Sequence, residues 1–352
     1  MDKKQIMSQE YETKIKNQNE TLNAFKGIAC IFVVFIHARF PGVFGQGVVA
    51  IARFAVPLFF MISGYYSYKI NTEECINRMP QKMKRTLFLS LKAFAFYFVW
   101  ESFIRWFGSG IGPVVIYWRN IFCFRTLIEV LIFSNDPLVG HLWFLIALIQ
   151  GYFLLWVLLS LKIKVHWLVP IILLEINIVL ASLSNLYGLN LSLFYTRNVW
   201  MVGLPCMLVG FGVHKSQKQI MQHISELKCV LVLGLGVVFT LVERMCIGYA
   251  QLYNGSLIIC VALFMCALCY SEMFRGTWLA KIGAKYATTV YIIQWAVMEG
   301  IDKIRRIIGI DCSLYNWVSP LIVMVVTIVV AWFLEKIQKF INGYLKKKVK
   351  SR

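Results

Sequence analysis

Ten apolar stretches, separated by polar connections between residues 22 and 334, restrict this chain more than any other feature. Stretches of this hydropathy fit helices that cross a bilayer. The expected fold is therefore all-α: a polytopic membrane protein of about ten transmembrane helices with the lipid bilayer as a partner. Hydrophobic residues make up 59% of the chain and charged ones 15%, which excludes an ordinary soluble domain. A net charge of +19 raises nucleic acid as a partner, but the cations sit in short loops and tails, so none is expected. With ten spans, 24 Lys and Arg fall on the side of the termini and nine on the other, which places both termini in the cytoplasm. Residues 1–21 read as a polar cytoplasmic tail, 22–340 as the transmembrane domain and 341–352 as a basic cytoplasmic tail. The first 21 residues lack a short apolar core with a small-residue cleavage site, so the first helix is expected to stay as a span.

That first span, LNAFKGIACIFVVFIHAR (residues 22–39), carries Lys26 near its start and His37 near its end. Eleven residues at about 100° each bring them within about 20° of three full turns, hence onto one face. They lie roughly 16 Å apart along the axis. Alone, Lys26 reads as a snorkelling anchor and His37 as an interfacial residue. Paired on one face of so apolar a helix, they favour a functional site. Lys26 is a catalytic candidate that would hold a phosphate or polarise a carbonyl, and His37 suits a base because neutral imidazole is populated near neutral pH.

The second span, about 48–68, contains Pro57 and Gly64, which imply a kink and close packing, and Arg53, which needs a partner or an aqueous lining. Residues 69–86 read as a basic loop with Arg78, Lys82, Lys84 and Arg85, either topological charge or a clamp on phosphate oxygens. The third span, about 87–107, is interrupted by Lys92 and Glu101. GSGIGP (108–113) lacks the strand and helix context of a phosphate loop and reads as a turn. Beyond it, Arg119, Arg125, Glu129 and Asp136 point to an interfacial or cavity-lining helix and are candidate acceptor contacts. Trp143, opening the fourth span, suits an aromatic belt, whereas His141 is open between belt and site. Glu175 in the fifth span reads as a buried charge in want of a partner, and Gly203, Pro205, Gly210 and Gly212 make the sixth tightly packed or kinked. The ten cysteines include one CxxC, Cys266 and Cys269, without a second pair or a nearby histidine, so no metal is expected. GxSxG and HExxH are both missing.

Four motifs in order resemble acyltransferase family 3 of integral membrane proteins: Lys26, ten residues and His37 in NAFKGIACIFVVFIH; VPLFFMISGYY (56–66); Lys82 and Arg85, three apart; and HLWFL (141–145). The likeness runs from about residue 20 to 340. It implies a bacterial plasma-membrane O-acyltransferase, moving an acyl group, usually acetyl, from acyl-CoA to a hydroxyl of a cell-surface carbohydrate or similar acceptor. By the same resemblance His37 is the base and Lys26, Lys82 and Arg85, with Arg78 beside them, face acetyl-CoA. His141 and Trp143 fall to the acceptor side.

Asn23 stands where many relatives carry an acidic residue, and Gln294 where a Ser-Tyr-His type of pattern ends in His. RFAVPLFFMISGYY (53–66) also resembles the membrane part of the serine racemases of vancomycin resistance, whose soluble racemase domain is missing from this sequence. The rival expectation is thus a non-catalytic membrane translocation or binding unit for a small polar solute such as an amino acid. No obvious internal repeat supports a repeat-built transporter.

Overall fold

The computed structural model describes residues 19–350 apart from 190, 223 and 311, with side-chain surroundings also left out at 194 and 343–350. The tail expected over residues 1–21 therefore lies almost wholly outside the described residues, as does the end of the C-terminal one. All regular elements among the described residues are helices. Asn19 caps the first, its side chain accepting from the Leu22 N–H at 2.8 Å, and α1 runs Glu20–His37.

The expected second span is two helices, α2 (Gly42–Ala52) and α3 (Ala55–Tyr65), parted at Arg53 and Phe54. Pro57 falls in the first turn of α3, where a missing N–H breaks no helical bond, so the kink expected at the proline is instead a break four residues earlier. Next, α4 spans Thr72–Ser109, capped by Asn71. The expected basic loop is thus mostly the opening turns of a helix about 57 Å long. Gly110, at φ +80°, makes the turn into α5 (Ile111–Ile121), and α6 (Phe124–Phe133) follows. The remaining long elements are α7 (Trp143–Ser160), α8 (Leu168–Leu186), α9 (Val199–Lys215, opening with a wide π turn), α10 (Glu226–Ile247), α11 (Asn254–Cys269), α12 (Ala287–Ile308) and α13 (Ser313–Lys350). A second π turn, Ile282–Tyr286, leads into α12.

Every one of the ten apolar stretches is helical. Seven segments, namely α1, α2 with α3, α4, α7, α8, α10 and α13, are long and apolar enough to cross a membrane; α9 and α11 are apolar but shorter. The protein is accordingly a polytopic helical membrane protein. Burial separates centre from rim: 61% of the α1 span and 67% of the α2–α3 span are buried, against 11–22% for α4, α8, α10 and α13. The rim helices expose large apolar side chains such as Phe103, Leu231 and Phe333, as a lipid-facing surface requires. Glu175 departs from expectation: it lies on the exposed side of α8 rather than buried against a partner.

Two glycine crossings hold the centre. A β-carbon on Gly64 would sit 1.9 Å from the Met207 carbonyl oxygen and one on Gly210 1.9 Å from that of Met61, so α3 and α9 touch backbone to backbone. Gly27 meets Leu279 and Gly283 meets Asn23 in the same way, fastening α1 to the π turn that precedes α12 and to the short helix Trp278–Lys281 before it. Close approach of this kind maximises dispersion contact where lipid gives no hydrophobic drive between helices.

Candidate functional site

His37 is the last residue of α1, and α2 begins five residues later. The break before α3 turns Arg53 back towards it, so His37 and Arg53 share the lining of a cavity of about 60 Å³ with His141, Trp143, Arg197, Gln251 and Tyr291. That space admits several water molecules or one small substituent.

His141 is delivered by the connection between α6 and α7. Asp136 organises this segment, one carboxylate oxygen accepting from the Leu138 N–H and the other from the Leu142 N–H, each at 2.9 Å. Gly140 supplies the left-handed turn just before the histidine, at φ +75°. Tyr291 then donates its hydroxyl to the His141 carbonyl. Asp136 is therefore a brace for His141 and does not line the cavity. Replacing Asp136 with Ala strands the buried Leu142 N–H and the part-buried Leu138 N–H, an expected cost of about 1–3 kcal/mol. The expected result is a lower melting temperature together with reduced turnover, measured on the same purified sample.

The two imidazoles meet edge to face, ring centres 5.9 Å apart, and Trp295 contacts both, at 5.7 Å from His37 and 6.0 Å from His141. His141 Nε2 lies 3.3 Å from the Ile292 carbonyl. A carbonyl only accepts, so that nitrogen carries the proton and Nδ1 presents a lone pair. Nδ1 is buried without a partner among the described residues. Tyr97 donates to the same Ile292 carbonyl at 2.5 Å, so a single helical carbonyl aligns both side chains.

Arg53 donates to Gln251 Oε1 at 2.9 Å and to the Tyr249 hydroxyl. Arg197 is set by its neighbours: Asn177 of α8 holds the Thr196 carbonyl at 2.8 Å, and the Asn198 side chain caps the α9 π turn. Its guanidinium lies over Trp143, 5.5 Å from the ring centre. Trp143 is thus a buried wall of the cavity rather than a residue of an exposed belt.

The remaining sequence candidates lie elsewhere. Lys26 is half-buried, eleven residues before His37, with no hydrogen bond or ion pair among the described residues. From the cavity at Arg53 the chain runs thirteen residues to Tyr66, about 20 Å of helix. There Lys82 donates to the Tyr66 carbonyl and to Ser67 Oγ, each at 2.8 Å. Lys26 and Lys82 thus both occupy the end of the central helices away from the two histidines. Arg85 is exposed nearby on α4, three residues past Lys82, while Arg78 is paired with Glu74 at 2.5 Å. Arg119 is exposed on α5, and Arg125 pairs with Glu129 at 2.9 Å on the open face of α6; neither lines the cavity. Asn23 and Gln294, the two departures from the family pattern, are buried with amide atoms unpartnered among the described residues.

Sequence reading missed Arg197, Gln251, Tyr291 and Trp295. Arg197 carried the one available signal, a cation directly before a glycine- and proline-rich span.

Fold and cavity together define a multi-pass membrane protein with an enclosed polar centre built around two imidazoles. The family model described as an acyltransferase domain, Acyl_transf_3, matches residues 19–336, so the chain belongs to that family of membrane acyltransferases. No curated protein and no solved structure matched the chain.

Proposed function

We propose that the protein transfers an acyl group, acetyl in the first instance, from cytoplasmic acyl-CoA to a hydroxyl of a cell-surface carbohydrate or similar acceptor. The setting is a bacterial plasma membrane, with both termini in the cytoplasm. The observation that carries this reading is the separation of parts. His37 opens onto a cavity with neither ring nitrogen hydrogen-bonded to a described residue, while Lys26 at the far end of the same helix and Arg85 on α4 form no salt bridge with a described residue.

Lys26 and Arg85 suit phosphate groups, since neither forms a salt bridge with a described carboxylate, Glu20 acting on Lys26 only at longer range; Lys82, already bonded to Tyr66 and Ser67, steadies that end. Acyl-CoA supplies an activated thioester carbonyl. His37 removes the acceptor hydroxyl proton as the oxygen bonds to the acyl carbon and the carbon–sulfur bond breaks; the proton then passes to the leaving thiolate, giving ester and free thiol. His141 orients His37 through ring contact, and Trp143 forms a wall against the acceptor.

The test is acetyl-CoA binding to detergent-purified protein, measured beside Lys26→Ala and Arg85→Ala. Saturable binding by the wild type, weakened at least about tenfold in each variant, is expected, because one charge-assisted phosphate contact contributes about 1.5–3 kcal/mol. Well-folded protein that binds no acetyl-CoA would sink the reading and make labelled amino-acid uptake the next assay.

A further inference from the structure

The cavity around His37 is lined by two arginines and no carboxylate. Arg53 is only 7% exposed, and its Nε has no partner among the described residues. The Arg197 guanidinium makes no hydrogen bond or salt bridge among the described residues; it lies over the face of Trp143, Asp136 acts on it only at longer range, and its Nε too is buried and unpartnered. Buried charges in proteins are normally paired, because desolvation without a counter-charge costs several kcal/mol per ion. A second cavity, of about 310 Å³, lies on the other side of Tyr249, which lines it and hydrogen-bonds Arg53 of the first. Its charged residues are Arg39 and Arg244, again without an acidic side chain. Four guanidiniums therefore border the two spaces, while Asp136 is engaged by backbone N–H groups of its own loop and Glu243 by those of Asn254 and Gly255.

We infer that the acceptor is anionic, carrying a carboxylate or phosphate held by Arg53 and Arg197 beside the hydroxyl that His37 deprotonates. The guanidinium fork matches both anions, and the Arg197 guanidinium has no hydrogen bond to a described residue that such an anion would have to displace. The larger arginine-bordered space beside the first adds to a field of one charge sign, which concentrates anions and excludes cations. This inference rests on the acyltransferase reading for the role of His37, but the anion site stands on the arginines alone.

The experiment compares glucose, glucuronic acid and glucose 6-phosphate with the full-length protein, by thermal stabilisation without donor and by release of coenzyme A with acetyl-CoA present. At least one anionic sugar is expected to stabilise the protein saturably and to be acetylated with a KM at least tenfold below that of glucose. Whichever anion does so distinguishes carboxylate from phosphate. In Arg197→Gln, and in Arg53→Gln if it purifies as monodisperse protein, that KM advantage should shrink at least tenfold with kcat changed less than threefold; Arg53→Lys should restore part of it. Glucose handled as well as the anions, or none of the three binding, overturns the inference. So does an equal fall of kcat for charged and neutral sugars, which would assign the arginines to the charge developing on the transferred carbonyl oxygen. Acetyl-CoA binding without an anion preference would remove this inference only, whereas anion stabilisation without acetyl-CoA binding would remove the acyltransferase reading and leave the anion site.

Discussion

His37→Gln is expected to lose 10²- to 10⁴-fold in turnover, the range for removal of a general base, while expressing normally and binding acetyl-CoA as the wild type does. The reason for separating these quantities is positional. His37 ends α1 and faces the cavity, with ring contacts to His141 and Trp295 but no hydrogen bond to a described residue, so no folded-state bond is lost with the imidazole. Lys26 lies about 16 Å away along the same helix, so the donor end remains intact. The measurement is steady-state release of coenzyme A beside a titration of acetyl-CoA. A variant with wild-type turnover would exclude His37 as the base and direct attention to His141, whose Nδ1 is also without a partner among the described residues.

Gly283→Ala is expected to have the largest effect on folding. The added β-carbon would sit 1.7 Å from the Asn23 carbonyl oxygen and 2.7 Å from the Gly27 nitrogen. Both are backbone atoms of α1, so no side-chain rotation relieves the clash and α1 itself must move. Overpacking a well-packed core costs about 1–3 kcal/mol even where side chains can adjust, and more is expected here. Because α1 carries both Lys26 and His37, activity should fall with the yield of monodisperse protein. Gly300→Ala on α12 is the matched control: its added β-carbon meets nothing within 4 Å, and alanine favours a helix interior by about 0.5–1 kcal/mol over glycine. The two variants should therefore shift the melting temperature in opposite directions. Gly283→Ala with an unchanged melting temperature would show that this crossing is looser than the backbone contacts indicate.

Legibility in the sequence followed the range of the interactions. The helical stretches and membrane character were plain, because both arise from local composition acting on a solvent that cannot satisfy exposed backbone. Lys26 and His37 were recognisable on one helix face, since helical periodicity is also local. The break at Arg53 was less so: Pro57 and Gly64 advertise irregularity, but where the chain parts depends on the packing of α3 against α9 through Gly64 and Gly210. Arg119, Arg125 and Asp136 looked alike as polar groups in a connection, yet one is exposed, one is ion-paired and one braces His141.

By itself, then, the sequence determined that the protein is a helical membrane protein with a cation and a histidine on its first span, because each of those facts is written in residues near one another in the chain, and the order of its motifs marked the acyltransferase family. Only the tertiary structure decided which charged side chains meet. Arg53 and Arg197 are 144 positions apart and His37 and His141 are 104 apart; they share a cavity because interlocked glycine crossings and the Asp136 brace bring four separate segments to one point. Contacts of that sequence separation leave no periodic trace in a chain, since they depend on how helices cross and not on how each one forms.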